Sequence, residues 1–310
     1  MPECNHLMPQ TESKITWPNG VVDVVLDTDT YNEIDDQFAL VYALMSVQRM
    51  NVQAIYAAPF HNDRSDSPAD GMAKSYEEAE RILSLLGHRS NDFLFKGSMS
   101  WLQDNRTPVS SPAVDDLISR ARARTDQPLY IIAIGAITNV VSAILAAPDI
   151  KDRIVVLWLG GHSLHWHHTR EFNLQGDLTA SRVLFDCGVP LVLFPCLLVA
   201  EALTTTLAEL DKHIRPAGRI GAYLYEIFEG YGSGDLRSAG ASKVIWDLAP
   251  VAWLVNQNWV ETVVTHSPIL TSDVTWSRDR NRHLIRVATR VHRDGIYTDL
   301  FSKLSSTTSH

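Results

Sequence analysis

Short β-branched and apolar runs recur along this chain, separated by longer segments with helical periodicity. Residues 21–26, 52–58, 129–134, 154–159 and 191–194 read as strands, and 35–47, 73–86, 139–147 and 180–187 as helices. Gly87, Pro148 and Gly188 stand where three of those helices must stop. A run such as Leu129-Tyr130-Ile131-Ile132-Ala133-Ile134 carries no polar alternation, so both faces of the strand need cover. That rules against a one-sided antiparallel sheet. It predicts an α/β chain with an open, mainly parallel sheet flanked by helices. In such sheets ligands collect beyond the carboxyl ends of the strands.

The first of these strands ends in an unusual concentration of charge. Val24-Val25-Leu26 runs into Asp27-Thr28-Asp29-Thr30, and Asp35-Asp36 follow before the apolar Phe38-Ala39-Leu40-Val41. Crowded carboxylates raise one another's pKa unless a cation or fixed donors hold them ionised. A hard, oxygen-seeking ion such as Ca²⁺ or Mg²⁺ is the partner this pattern calls for.

Three further segments place polar groups just beyond apolar runs. Gly135-Ala136-Ile137-Thr138-Asn139 makes a strand-to-helix turn with a capping Thr. Gly160-Gly161 precedes a histidine-rich stretch, Glu171-Phe172-Asn173 and Asp177. Asp247 lies in the apolar segment Val244-Ile245-Trp246-Asp247-Leu248-Ala249-Pro250, read as a helix over 244–254. A carboxylate buried there needs a partner or a metal, or else the favourable dipole of a helix's first turn.

The remaining organisation is plain. Residues 1–20, with Pro2, Pro9 and Pro18, read as a loose arm, and 21–310 as a single domain with no repeat or dividing linker. Residues 205–242 read as helices and a glycine-rich loop, Gly230-Tyr231-Gly232-Ser233-Gly234, either a flap or a connector. Residues 284–291 read as an edge strand. A net charge of −9 disfavours nucleic acid and anionic membrane as partners, leaving a small molecule. Three scattered cysteines, Cys4, Cys187 and Cys196, no signal-peptide pattern and no spanning segment lead to a cytoplasmic expectation.

Taken in order, the four segments resemble the nucleoside hydrolases, the inosine-uridine nucleoside N-ribohydrolase family. Its D-x-D-P-G-x-D-D opening is matched by Asp27-Thr28-Asp29 with Asp35-Asp36, its L-T-N turn by Ile137-Thr138-Asn139, its G-G and E-F-N by Gly160-Gly161 and Glu171-Phe172-Asn173, and its late aspartate by Asp247. The agreement runs from about residue 21 to 260.

The resemblance implies a Rossmann-like nucleoside hydrolase fold and a bound Ca²⁺ held by Asp29, Asp36, the Thr138 carbonyl and Asp247. It implies Asp29 as general base toward a water attacking C1′, with Asp27 supporting it. Asp35 would accept from the ribose 2′-hydroxyl, Glu171 and Asn173 would hold the 3′ and 5′ side, and Asn62 would match a further ribose-binding asparagine. It also implies a homodimer or homotetramer acting on a nucleoside.

Three departures stand out. Two extra residues lengthen the first loop, Thr30-Tyr31-Asn32-Glu33-Ile34, so that Asn32 or Glu33 could reach the ion or the ribose. His165, six residues before Glu171, stands where the family often has asparagine and is a candidate substrate contact. Trp246 precedes the late aspartate where pyrimidine-accepting members carry histidine, which resembles the purine-preferring branch and predicts base stacking, with Trp101 a candidate second face. The alternative for Trp246 is a core aromatic in an apolar helix.

Rival readings remain at this level. Asp27-Thr28-Asp29-Thr30 fits the D-x-D-x-T nucleophile motif of haloacid-dehalogenase-like, Mg²⁺-dependent phosphatases, but Lys151 lacks the later acidic pair that chemistry needs. A non-catalytic, calcium-dependent nucleoside- or ribose-binding protein would keep the site without turnover. His162, His165, His167 and His168, four imidazoles in seven residues, are a zinc candidate.

Overall fold

The computed structural model describes residues 13–232, 236–238, 240 and 241–306. Twelve strands are present among them: β1 (Val22–Thr28), β2 (Met50–Ala57), β3 (Leu94–Lys96), β4 (Leu129–Ala133), β5 (Ile154–Leu159), β6 (Leu191–Phe194), β7 (Thr204–Thr205), β8 (Lys243–Val244), β9 (Val260–His266), β10 (Ile269–Leu270), β11 (Trp276–Ser277) and β12 (Leu284–Val291). Eight form one sheet in the order β3-β2-β1-β4-β5-β6-β12-β9. Every neighbouring pair is parallel except β12 with β9. The expected mainly parallel sheet is therefore present, and residues 284–291 are corrected from edge strand to penultimate strand. Strand β9, half exposed and so without the continuous apolar signature, takes the edge instead.

Helices cover both faces, and two apolar cores result. One side packs Phe38, Leu40 and Val41 of helix Asp35–Met45 against helix Leu248–Val255. The other packs Val140, Val141 and Ile144 of helix Thr138–Ala146 against Leu184 and Phe185. Because β2 lies on one side of β1 and β4 on the other, chain direction across the sheet reverses at β1. The carboxyl ends of β1 and β4 thus flank a topological switch point, the crevice where such sheets bind ligands.

Other boundaries moved for identifiable reasons. The helix expected over 73–86 begins earlier, at Pro68, because Ser67 caps it by accepting from Asp70 N and proline suits the first turn. The expected helix over 244–254 divides. Lys243–Val244 pairs antiparallel with Thr204–Thr205, and the helix proper runs Leu248–Val255 with Asp247 at its N-cap position. Residues 13–20 are no loose arm: Ile15 is fully buried, and Trp17 Nε1 donates to the Trp253 carbonyl at 2.7 Å. The first twelve residues, Cys4 among them, and Ser233–Gly234 of the glycine-rich loop lie outside the described residues. Among the described residues no helix is long and apolar enough to cross a membrane.

Candidate active site

The acidic cluster lies at the carboxyl end of β1. Backbone bonds from Ile134 N to the Asp27 carbonyl and from Ala58 N to the Thr28 carbonyl, each 2.8 Å, zip β1 to its neighbours up to that point. Beyond it the chain turns, Asn32 N donating to the Asp29 carbonyl at 2.7 Å, and enters helix Asp35–Met45 with two acids in its first turn. Asp27, Asp29, Asp35, Asp36 and Asp247 are all buried. Carboxylate oxygens of Asp35, Asp36 and Asp247 come within 4.8 Å of one another, the only such metal-capable set among the described residues.

Asp29 is the exceptional member, because both its carboxylate oxygens are buried without a hydrogen-bond partner. Buried polar atoms are rarely left so, and an orphaned acid pair calls for a cation or a ligand donor. Asp247 makes no side-chain capping bond although it occupies an N-cap, so its carboxylate is free to join the cluster. Asp27 stands behind, its Oδ1 accepting from Asn139 Nδ2 at 2.7 Å while Asn139 Oδ1 accepts from Ser98 N. Thr28 Oγ1 donates to Asp36 Oδ1. Gly135 is tightly constrained here, since a Cβ on it would stand 3.0 Å from Asp29 Cγ.

Burial drives the electrostatics and mutual repulsion adds to it. Burial, then the neighbouring Asp35, push the Asp36 carboxyl up to about 8. Burial lifts Asp27 to about 7 against the pull of Asn139, and lifts Asp35 to about 6 against the nearby Lys243 ammonium. Asp29 and Asp247 are driven well above the carboxylate range by burial and the surrounding acids. The cluster cannot carry its full negative charge alone near neutral pH. An all-oxygen, strongly acidic set of this kind fits a hard divalent cation.

A cavity of about 260 Å³ opens on Asp35, Asp36 and Asp247. Glu171, Asn173 and Trp246 line it with them, so three of the four sequence segments converge on it, while Asp29 and the Thr138 turn do not line it. Glu171 caps a short helix and is saturated by backbone: Oε1 accepts from Asn173 N, and Oε2 from Gly161 N at 2.8 Å and Leu174 N at 3.0 Å. Gly161, at φ +67°, makes the turn that delivers this N–H. Asn173 Nδ2 bridges the carbonyls of Ile134 and Leu159, both at 3.1 Å, tying the ends of β4 and β5. Thr138 spends its hydroxyl on Asp177 Oδ2 at 2.8 Å, which fixes the turn that carries its carbonyl.

Other expected residues fall elsewhere. His165 is exposed and lines a separate cavity with Trp276 and Arg278. His162, three residues earlier and buried, is the imidazole that lines the acidic cavity, and burial lowers its pKa to about 4. Asn62 lines a neighbouring basin of about 920 Å³ and donates to Asn32 Oδ1 at 2.6 Å. Trp101 lines neither, its ring lying beside Gly176. Among the described residues the histidine-rich stretch brings no three metal-capable ligands together. Sequence reasoning missed Phe172, Arg170 and Cys196 in the cavity wall. Phe172 had a signal, being an aromatic placed between two polar motif residues, and it is 39% exposed.

The phosphatase rival finds no support in this geometry. Lys151 lies at the amino end of β5, away from the cluster, with Nζ on the Cys187 carbonyl at 3.1 Å.

Comparison with known proteins agrees with the geometry. Among curated relatives, the non-specific ribonucleoside hydrolase RihC of Shigella flexneri is 26% identical over 261 residues, 75% of this chain and 78% of that one. Its namesake from Escherichia coli is 27% identical over 259 residues with the same coverage. Among solved structures, a purine-preferring ribonucleoside hydrolase from Gardnerella vaginalis superposes with a TM-score of 0.72 at 20% identity, covering 92% of this chain and 98% of that one. An inosine-uridine preferring nucleoside hydrolase from Bacillus anthracis gives 0.68 at 15% identity, covering 92% and 99%. The family model for the inosine-uridine preferring nucleoside hydrolases matches residues 24–298, nearly the whole described chain, and the protein belongs to that family.

Proposed function

We propose that this chain is a nucleoside N-ribohydrolase that cleaves the N-glycosidic bond of ribonucleosides in a calcium-dependent reaction, with purine nucleosides preferred. The observation that carries the reading is Asp29, buried with both oxygens unpartnered beside three carboxylates crowded within 4.8 Å. Asp29, Asp36, Asp247 and the Thr138 carbonyl are the groups that would hold the ion. Calcium bound there would neutralise the cluster and lower the pKa of the attacking water.

The chain's own residues supply the rest. Asp29 takes a proton from the water as it adds to C1′. Breaking the bond develops positive charge on the ribosyl ring, which an anionic wall stabilises more than it stabilises the neutral substrate. Asp35, held by the Trp246 N–H at 3.2 Å, accepts from the 2′-hydroxyl. Glu171 is committed to backbone donors, so it shapes the 5′ side while Asn173 and neutral His162 face the sugar. Asn32, tied to Asn62, borders both the acidic cavity and the basin beside it.

Base preference rests on Trp246, half-buried and lining the cavity. An indole there stacks on the leaving base, worth about 1–3 kcal/mol, without offering the proton a histidine would. Homo-oligomeric assembly and a cytoplasmic location belong to the same proposal. The test is a panel of purine and pyrimidine ribonucleosides with and without chelator, following free base. Inosine turned over faster than uridine supports the reading; equal or faster uridine turnover overturns the preference, and binding without release in every case favours the non-catalytic binding protein.

A further inference from the structure

The lengthened loop between Asp29 and Asp35 has each of its polar side chains engaged. Arg64 lies over the Tyr31 ring at 4.2 Å, Asn32 Oδ1 accepts from Asn62, and Glu33 Oε2 accepts from Lys243 Nζ at 2.5 Å. Lys243 comes from a segment 210 residues further along the chain. Its side chain is only 10% exposed, and its ammonium stands over the Tyr231 ring at 4.7 Å. Pairing of β8 with β7 fixes where the lysine emerges.

The same segment presents the Trp246 N–H to Asp35 Oδ2 and then Asp247 to the cluster. Glu33 and Asp35 lie two residues apart at the end of the loop, and Lys243 and Trp246 three apart on the facing segment, so the Glu33–Lys243 ion pair and the Trp246 N–H bond to Asp35 join the same two stretches of chain.

We propose that Lys243 is a positioning residue: its ion pair with Glu33 clamps the lengthened loop to the segment that carries Trp246, and so holds the Trp246 N–H on Asp35 Oδ2 and the Asp35 carboxylate in the orientation that meets the ribose 2′-hydroxyl. The proposal rests on the hydrolase reading above. It makes the inserted loop a specificity element, since Glu33 lines both the acidic cavity and the basin beside it.

The test compares the KM for inosine with the inhibition constant of 2′-deoxyinosine in Lys243→Met, Lys243→Arg and Glu33→Gln. Lys243→Met and Glu33→Gln are expected to raise the inosine KM about fivefold, within the coupling seen inside one charge network, and to leave 2′-deoxyinosine inhibition unchanged. Lys243→Arg keeps the charge and the contact with the Tyr231 ring and is expected to restore the inosine KM to within about twofold. Equal weakening of both ligands, or an arginine variant no better than the methionine one, would overturn the proposal. Glu33→Gln is isosteric and gives the same read-out should Lys243→Met fold poorly. If the unaltered protein releases no base from any nucleoside, the hydrolase reading falls and takes this proposal with it; turnover in the unaltered protein with no 2′-hydroxyl discrimination removes the proposal alone.

Discussion

Cation binding should be coupled to proton release, and the site fixes how strongly. Burial and the neighbouring Asp35 hold the Asp36 carboxyl up at about 8, and burial holds Asp35 at about 6. A cation that takes Asp36 as a carboxylate must displace its proton, so apparent affinity falls by the factor 1 + 10^(pKa − pH). For Asp36 alone that factor drops from about 100 near pH 6 to about 2 near pH 8, an affinity gain of about 50-fold or about 2 kcal/mol. The sign of the stability effect follows from the same shifts. A carboxyl whose folded pKa is raised keeps its proton in the folded protein after the unfolded chain has lost it. The chelated protein is therefore expected to lose stability as pH rises from about 4 through about 8, and added calcium to restore most of it at the upper end. Calorimetric titration with calcium in buffers of different ionisation enthalpy reads both the affinity and the protons released. An affinity that is flat across this window, with no proton release, would show that the acids are already ionised in the free protein and would refute the crowding argument.

Asp29→Asn should lower turnover by about 10²- to 10⁴-fold, the range for loss of a general base, while the melting temperature of the chelated protein stays level or rises because an unpaired buried acid is gone. Retained turnover in a well-folded variant would remove Asp29 from the mechanism. Gly135→Ala sets a methyl 3.0 Å from Asp29 Cγ and 3.1 Å from the Ala58 Cβ. The strain, about 1–3 kcal/mol, should appear as weakened calcium affinity in titration, with circular dichroism unchanged. Trp246→Leu should raise the KM for inosine about tenfold with a smaller effect on uridine, as measured by initial rates.

The sheet is legible because continuous apolar runs such as 129–134 and 154–159 need cover on both faces, and the cluster because four aspartates within ten residues at the end of an apolar strand need a counter-charge. What escaped the sequence depends on tertiary context. Strand β9 is half exposed, so its pattern is weak, and its absence made β12 look like an edge. Val244-Ile245-Trp246 fits a helix by apolarity, yet pairing with β7 draws Lys243 and Val244 into a strand and leaves Asp247 at the helix start. Spacing from Glu171 points to His165 as the substrate-contacting imidazole, but the turn at Gly160-Gly161 carries His162 into the cavity and His165 out of it. The contacts of the lengthened loop with Asn62 and Lys243 join residues far apart in the chain, which no local pattern can register.

We infer that the buried aspartate cluster, loaded with calcium, adds water across the C1′–N bond of a ribonucleoside. The decisive measurement incubates the purified protein with inosine, first with chelator and then with calcium restored, and follows hypoxanthine and reducing sugar in the same samples. Both products are expected in equal amounts with calcium and neither with chelator. Equal rates in the two conditions, or base released without a matching reducing sugar, would contradict it.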